Sequence, residues 1–113
     1  MITKKKLTIP IFEVKLTVVI FDNFDEVKYL AGDTASKGFI TYSDDFGSIL
    51  VGVRSDRPDT IAHESEHIKN VIWRYIGYES QEDNDEVDAY LVGYIYNRIA
   101  SVLFLHNSSK GRL

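Results

Sequence analysis

Residues 49–76 read ILVGVRSDRPDTIAHESEHIKNVIWRYI, and the fold class turns on a change of period inside this stretch. Ile49 to Val53 is short, apolar and mostly β-branched, the make-up of a buried strand. From Ile61 onward the apolar residues recur at helical spacing instead. Ile61, Ile68, Val71, Ile72 and Tyr75 form one stripe at about 100° per residue. Asp56 is placed to cap this helix, Pro58 suits its early turn, and Asp59 lies near the positive end of the dipole. Gly77 supplies the stop after Ile76.

Upstream, Phe12 to Phe21 alternates, with Phe12, Val14, Leu16, Val18 and Ile20 on one side and Glu13, Lys15 and Thr17 on the other, which predicts a half-buried strand. Asp22-Asn23 offers a cap for a short helix carrying Phe24, Val27, Tyr29 and Leu30 and ending at Gly32. Gly38 to Tyr42 is a further strand, joined to Ile49–Val53 as a hairpin through Ser43-Asp44-Asp45 and Gly47. Downstream, the polar run Glu79 to Asn84 reverses the chain into a second long helix from about Asp85 to Leu105. Strands first and two long helices last predict a single α+β domain over residues 1–113, a small and mainly antiparallel sheet with both helices on one face. Lys4-Lys5-Lys6 and the tail from Asn107 to Leu113 read as frayed ends.

Composition narrows the function classes. With 44% hydrophobic and 27% charged residues and two prolines, the 113-residue chain is neither disordered nor fibrous. A net charge of −4 argues against a nucleic-acid partner held by phosphate neutralisation. The absence of cysteine rules out disulfides and thiolate metal sites and is compatible with a cytoplasmic protein. The most apolar run, Ala89 to Leu105, carries Asn97 and Arg98 and reads as a buried helix, so no membrane partner is expected.

Within the first long helix stands His63-Glu64-Ser65-Glu66-His67, the pattern H-E-x-x-H, using two of the chain's three histidines. Histidines four apart lie one above the other on a helix, so both imidazoles can reach one ion, and the adjacent Glu64 projects toward its open side. Zinc is the expected cofactor, with Glu64 taking a proton from an activated water. Glu64 also falls inside the apolar stripe, where an unpaired carboxylate costs several kcal/mol. A third protein ligand is needed. Glu79, Glu82, Glu86, Asp88 and His106 are available, and Glu86 alternatively completes a cap-like Asp83-x-x-Glu86 spacing.

From Thr60 to about Tyr96 the chain resembles the gluzincin branch of the zincin metallopeptidases. The likeness is greatest to very small single-domain metallopeptidases, often of phages and prophages, in which the motif is followed by a segment like Asn84-Asp85-Glu86 and Tyr90-Leu91-Val92-Gly93. The metzincin branch is set aside, because Asn70 and Trp73 stand where its glycine and third histidine belong. The resemblance implies a zinc-dependent peptidase with metal ligands His63, His67 and Glu86 and general base Glu64. One hairpin strand would receive an extended peptide or protein substrate along its edge.

Eighteen residues separate His67 from Glu86, and a return path is feasible. The helix climbs about 14 Å beyond His67, and the link from Gly77 to Asp85 can stretch to about 30 Å. Ala89, Gly93, Asn97 and Ala100 would let the two helices approach closely. Many gluzincins carry an aspartate four residues after the ligand glutamate; here that position is Tyr90, a candidate to stabilise the oxyanion through its hydroxyl. The competing expectation is a catalytically silent module with a structural metal, a partner-binding protein of a phage or mobile element. In that reading Tyr94, Tyr96, Leu103 and Phe104 on the last helix offer a homodimer face.

Overall fold

The computed structural model describes residues 1–31 and 37–110. It contains strands β1 (Ile2–Ile9), β2 (Val14–Phe21), β3 (Gly38–Tyr42) and β4 (Ser48–Arg54). Its α-helices are α1 (Lys28–Ala31), α2 (Thr60–Ile76) and α3 (Glu86–Ser109), and a 3-10 turn spans Phe24–Glu26. The sheet order is β1-β2-β4-β3, with β1 and β3 antiparallel to their neighbours and β2 parallel to β4. The α+β expectation holds, with a mixed sheet and the two long helices following it.

Register explains which face the helices cover. Leu16 pairs with Ile49, Val18 with Val51 and Ile20 with Val53, so all six point to one side and are buried there. Against them pack Ile61, Ile68 and Ile72 of α2 and Leu91, Ile95 and Ile99 of α3. The opposite face holds a smaller cluster of Val19, Phe21 and Phe39, closed by Val27. Gly52 makes this second cluster possible, because a Cβ there would overlap the Phe39 ring.

Several boundaries differ from expectation. Met1 to Lys6 is not frayed: Ile2–Ile9 pairs along its whole length with β2, and the lysines stand on an exposed edge strand. Lysine-rich edges resist pairing with other chains, which accounts for a strand without an apolar alternation. β2 begins at Val14 rather than Phe12, because Ile11 (φ 73°) and Glu13 (φ 56°) turn the chain and send the Phe12 ring edge-on to Trp73, 5.8 Å between centroids. Asn23 caps the 3-10 turn in a reciprocal box with Glu26; the expected helix end at Gly32 lies outside the described residues.

Asp56 does not cap α2. Arg54 takes it, at 2.6 Å, and α2 starts at Thr60 after Asp59, whose carboxylate is held by Arg57. Gly77 terminates α2 in the left-handed conformation, φ 75°, as expected. α3 continues to Ser109, past the predicted end at Leu105, while residues 111–113 lie outside the description. His106 has a reason to extend it. It is fully buried, its Nδ1 2.7 Å from Thr3 Oγ1 and its Nε2 2.9 Å from Asp22 Oδ1, and so ties α3 to the ends of β1 and β2. Among the described residues no helix is long and apolar enough to cross a membrane.

Candidate metal centre

α2 lies over the sheet with Ile61, Ile68 and Ile72 inward, which turns His63 and His67 outward to solvent. The two rings sit edge to face, 4.7 Å between centroids, with their Nε2 atoms 3.2 Å apart. Glu64, next on the helix wheel, points to the flank of α2 beside β3 and is only 5% exposed. It fits there because residue 38 is glycine: a Cβ on Gly38 would stand 3.4 Å from Glu64 Oε2 and 3.3 Å from Thr60 Oγ1.

Glu64 Oε1 lies 3.9 Å from His63 Nε2, and no hydrogen bond reaches the carboxylate among the described residues. Burial pushes its pKa above the ordinary carboxylate value, and the two imidazoles pull back against that shift without cancelling it. One donor atom from each of His63, Glu64 and His67 falls within 4.8 Å of the others.

The donor set fits a metal ion in one specific respect. Two nitrogen ligands at 2.0–2.1 Å in tetrahedral geometry stand about 3.3 Å apart, and the imidazole nitrogens are separated by 3.2 Å. Paired imidazole nitrogens suit a divalent transition-metal ion, with zinc, copper, iron and nickel all compatible. What is assembled among the described residues is a cluster of two imidazoles and one carboxylate.

Glu86 is not brought to the cluster. It is the first residue of α3, exposed, and absent from the His63–Glu64–His67 group. The reason is where α3 packs. Asp88 holds Lys69 of α2 at 3.4 Å and accepts a 2.6 Å hydrogen bond from Ser80. Lys69, two residues past His67, projects about 200° away around the helix. α3 therefore runs along the flank of α2 remote from the histidines. Gly93 does not give close contact either, since a Cβ there would meet nothing within 4 Å, whereas Ala100 packs against the core.

Tyr90 is likewise elsewhere: 77% exposed, it borders an apolar groove with Ile11, Val87 and Trp73. Glu79 and Glu82 are exposed in the reversal, Asp88 serves Lys69, and His106 serves Asp22 and Thr3. The sequence reading missed Gly38 and Thr60, which flank Glu64. A glycine at the start of a strand facing the motif was the available signal.

β3 ends the sheet order, so its outer side has no strand neighbour among the described residues. Between that edge and α2 runs a trough. One cavity of about 420 Å³ extends from His63 and Glu64 toward Lys37 and Arg57, and another of about 400 Å³ extends from them past His67 toward Tyr42 and Arg74. Compared with known proteins, the chain matches no family model, no curated protein and no solved structure.

Proposed function

We propose that this chain is a zinc-dependent peptidase in which His63 and His67 hold the metal and Glu64 is the general base. The observation that carries the reading is the Glu64 carboxylate: buried, without a hydrogen bond among the described residues, beside two clustered imidazoles and the open edge of β3. A carboxylate kept in that state costs stability, and a role in proton transfer accounts for it.

Zinc, when bound, polarises a carbonyl and lowers the pKa of water. The rest is the work of the chain. The backbone of β3 offers amide and carbonyl groups to an extended peptide, which fixes its height against α2. Glu64 Oε1 or Oε2 accepts the proton of the attacking water and delivers it to the departing amine. Its raised pKa brings the group closer to one that can both take and return a proton. Gly38, lacking a Cβ, lets the Glu64 carboxylate sit close against the start of β3. A structural metal fits less well, because such sites are closed by four protein ligands and catalytic ones by three; with Glu64 as the base, His63 and His67 are the two ligands that cluster among the described residues, so a catalytic centre needs one more and a structural centre two.

The test is Glu64→Gln in zinc-loaded protein. Bound zinc should be retained while hydrolysis of a casein digest falls by about 10²-fold or more. Undiminished turnover with zinc in place would remove Glu64 from the mechanism. A thermal melt shifted strongly by chelator, with no hydrolysis by the wild type, would favour the structural-metal reading.

A further inference from the structure

The charges around the trough run against those of the whole molecule. The chain carries −4, and Glu79, Glu82, Asp83, Asp85, Glu86 and Asp88 crowd the reversal between α2 and α3. Along the trough the balance is opposite. At one end stand Lys37, Arg57 and Asp59. Asp59 is occupied by the Arg57 fork, at 2.9 Å and 2.7 Å, and lies in the field of Lys37 as well, so this end retains a positive charge. At the other end Arg74 is exposed and makes no ion pair among the described residues. Among the described residues that line the trough Glu64 is the other carboxylate, and it lies buried between the two ends.

Resting on the reading of this trough as a peptide-cleaving site, we infer that its preferred substrate is an extended peptide with acidic side chains on both sides of the bond that faces Glu64. Spacing gives the positions. Arg74 follows His67 by seven residues on nearly the same face, a rise of about 10 Å, or about three residues of extended peptide. Lys37 directly precedes Gly38, the residue packed beside Glu64, so its ammonium serves a side chain one or two places the other way. Two separated cations at opposite ends of a trough with an open strand edge select for acids spaced by about four or five residues.

The experiment separates recognition from catalysis. Catalytically silenced Glu64→Gln protein is titrated, by fluorescence anisotropy, against labelled peptides with Glu at both flanking positions, their Gln isosteres and their Lys counterparts. The Glu peptides should bind about fivefold more tightly than the Gln peptides at low salt, the sum expected of two exposed ion pairs. That gap should close when salt is raised from about 50 mM to about 500 mM. Adding Arg74→Glu should remove roughly half of the preference, and Lys37→Glu with Arg74→Glu should turn it toward the Lys peptides; both side chains are exposed, so the fold is kept.

Equal binding of Glu and Gln peptides, no binding of any of them, or a preference untouched in the double charge reversal overturns the inference. Zinc-loaded wild type is assayed on the same peptides in parallel. Cleavage indifferent to the flanks leaves a peptidase and sinks the acidic preference. Preferential binding of acidic peptides without cleavage does the reverse.

Discussion

Replacing Lys69 with methionine keeps the shape of the side chain and removes its charge, which isolates what fixes α3 on the remote flank of α2. Lys69 is only 6% exposed and meets Glu66 at 2.5 Å and Asp88 at 3.4 Å. The two carboxylates respond differently to losing it. Glu66 is half exposed and can rehydrate; the Asp88 side chain, 13% exposed at the rim of an open cavity, rehydrates less completely. In the native protein the Ser80 hydroxyl, opposed by burial and helped by Trp73 and Lys69, keeps the Asp88 pKa below the ordinary carboxylate value. Breaking a fully buried pair costs 3–5 kcal/mol, and with only one partner stranded the expected loss is about 2–3 kcal/mol. For a chain of this size that lowers Tm by about 10 °C.

The deficit should depend on pH. Without the ammonium the Asp88 pKa rises from its lowered native position, with the Ser80 hydrogen bond still opposing burial, so the deficit is present at neutral pH and shrinks as the medium becomes acidic enough to protonate the group. Adding Asp88→Asn to Lys69→Met should recover more than half of the loss, since removing both partners leaves no stranded charge. Urea denaturation of the wild type, the single and the double variant across pH measures all of this. A single variant within about 0.5 kcal/mol of the wild type, or a double variant no more stable than the single, would refute the account.

Other predictions are shorter. Glu86→Gln should leave zinc stoichiometry unchanged by elemental analysis while His67→Ala abolishes it, because Glu86 stands apart from the histidines; zinc lost from Glu86→Gln reinstates the sequence-derived ligand set. Gly52→Ala must displace the buried Phe39 ring and should cost about 1–3 kcal/mol, read from the urea midpoint. Burial raises the Asp22 pKa, but hydrogen bonds from Lys110, Ser55 and His106 outweigh it and hold the carboxyl far below its ordinary value. A folded-state pKa below the unfolded one contributes stability above about pH 4 that is lost as pH falls further. Asp22→Asn should therefore flatten the acid limb of a stability–pH curve, and an unchanged limb would count against the Asp22 network.

Much of this was legible because period alone separates strand from helix. The alternation from Val14 to Ile20, the stripe from Ile61 to Ile72 and the stop at Gly77 were all recoverable. So was the burial of Glu64, which follows from its place in the stripe. β1 was hidden because three consecutive lysines on an edge strand erase the alternation that marks a strand. The parallel pairing of β2 with β4 leaves no local mark, since it joins segments with a hairpin half between them. Glu86 shows the limit most clearly. Chain length bounds how far a residue can travel, but not the side from which its helix approaches. That side is set by Leu91, Ile95 and Ile99 on the sheet and by Asp88 on Lys69, contacts that spacing does not encode.

The parallel seat of β2 beside β4 also bears on how the chain matures. Val14–Phe21 finds one neighbour at once in the strand preceding it, but its second flank is completed only by Ser48–Arg54. Until the ribosome has delivered that later segment, Val18, Val19, Ile20 and Phe21 present a sticky ribbon with half its amides unmatched, the kind of segment on which nascent chains aggregate.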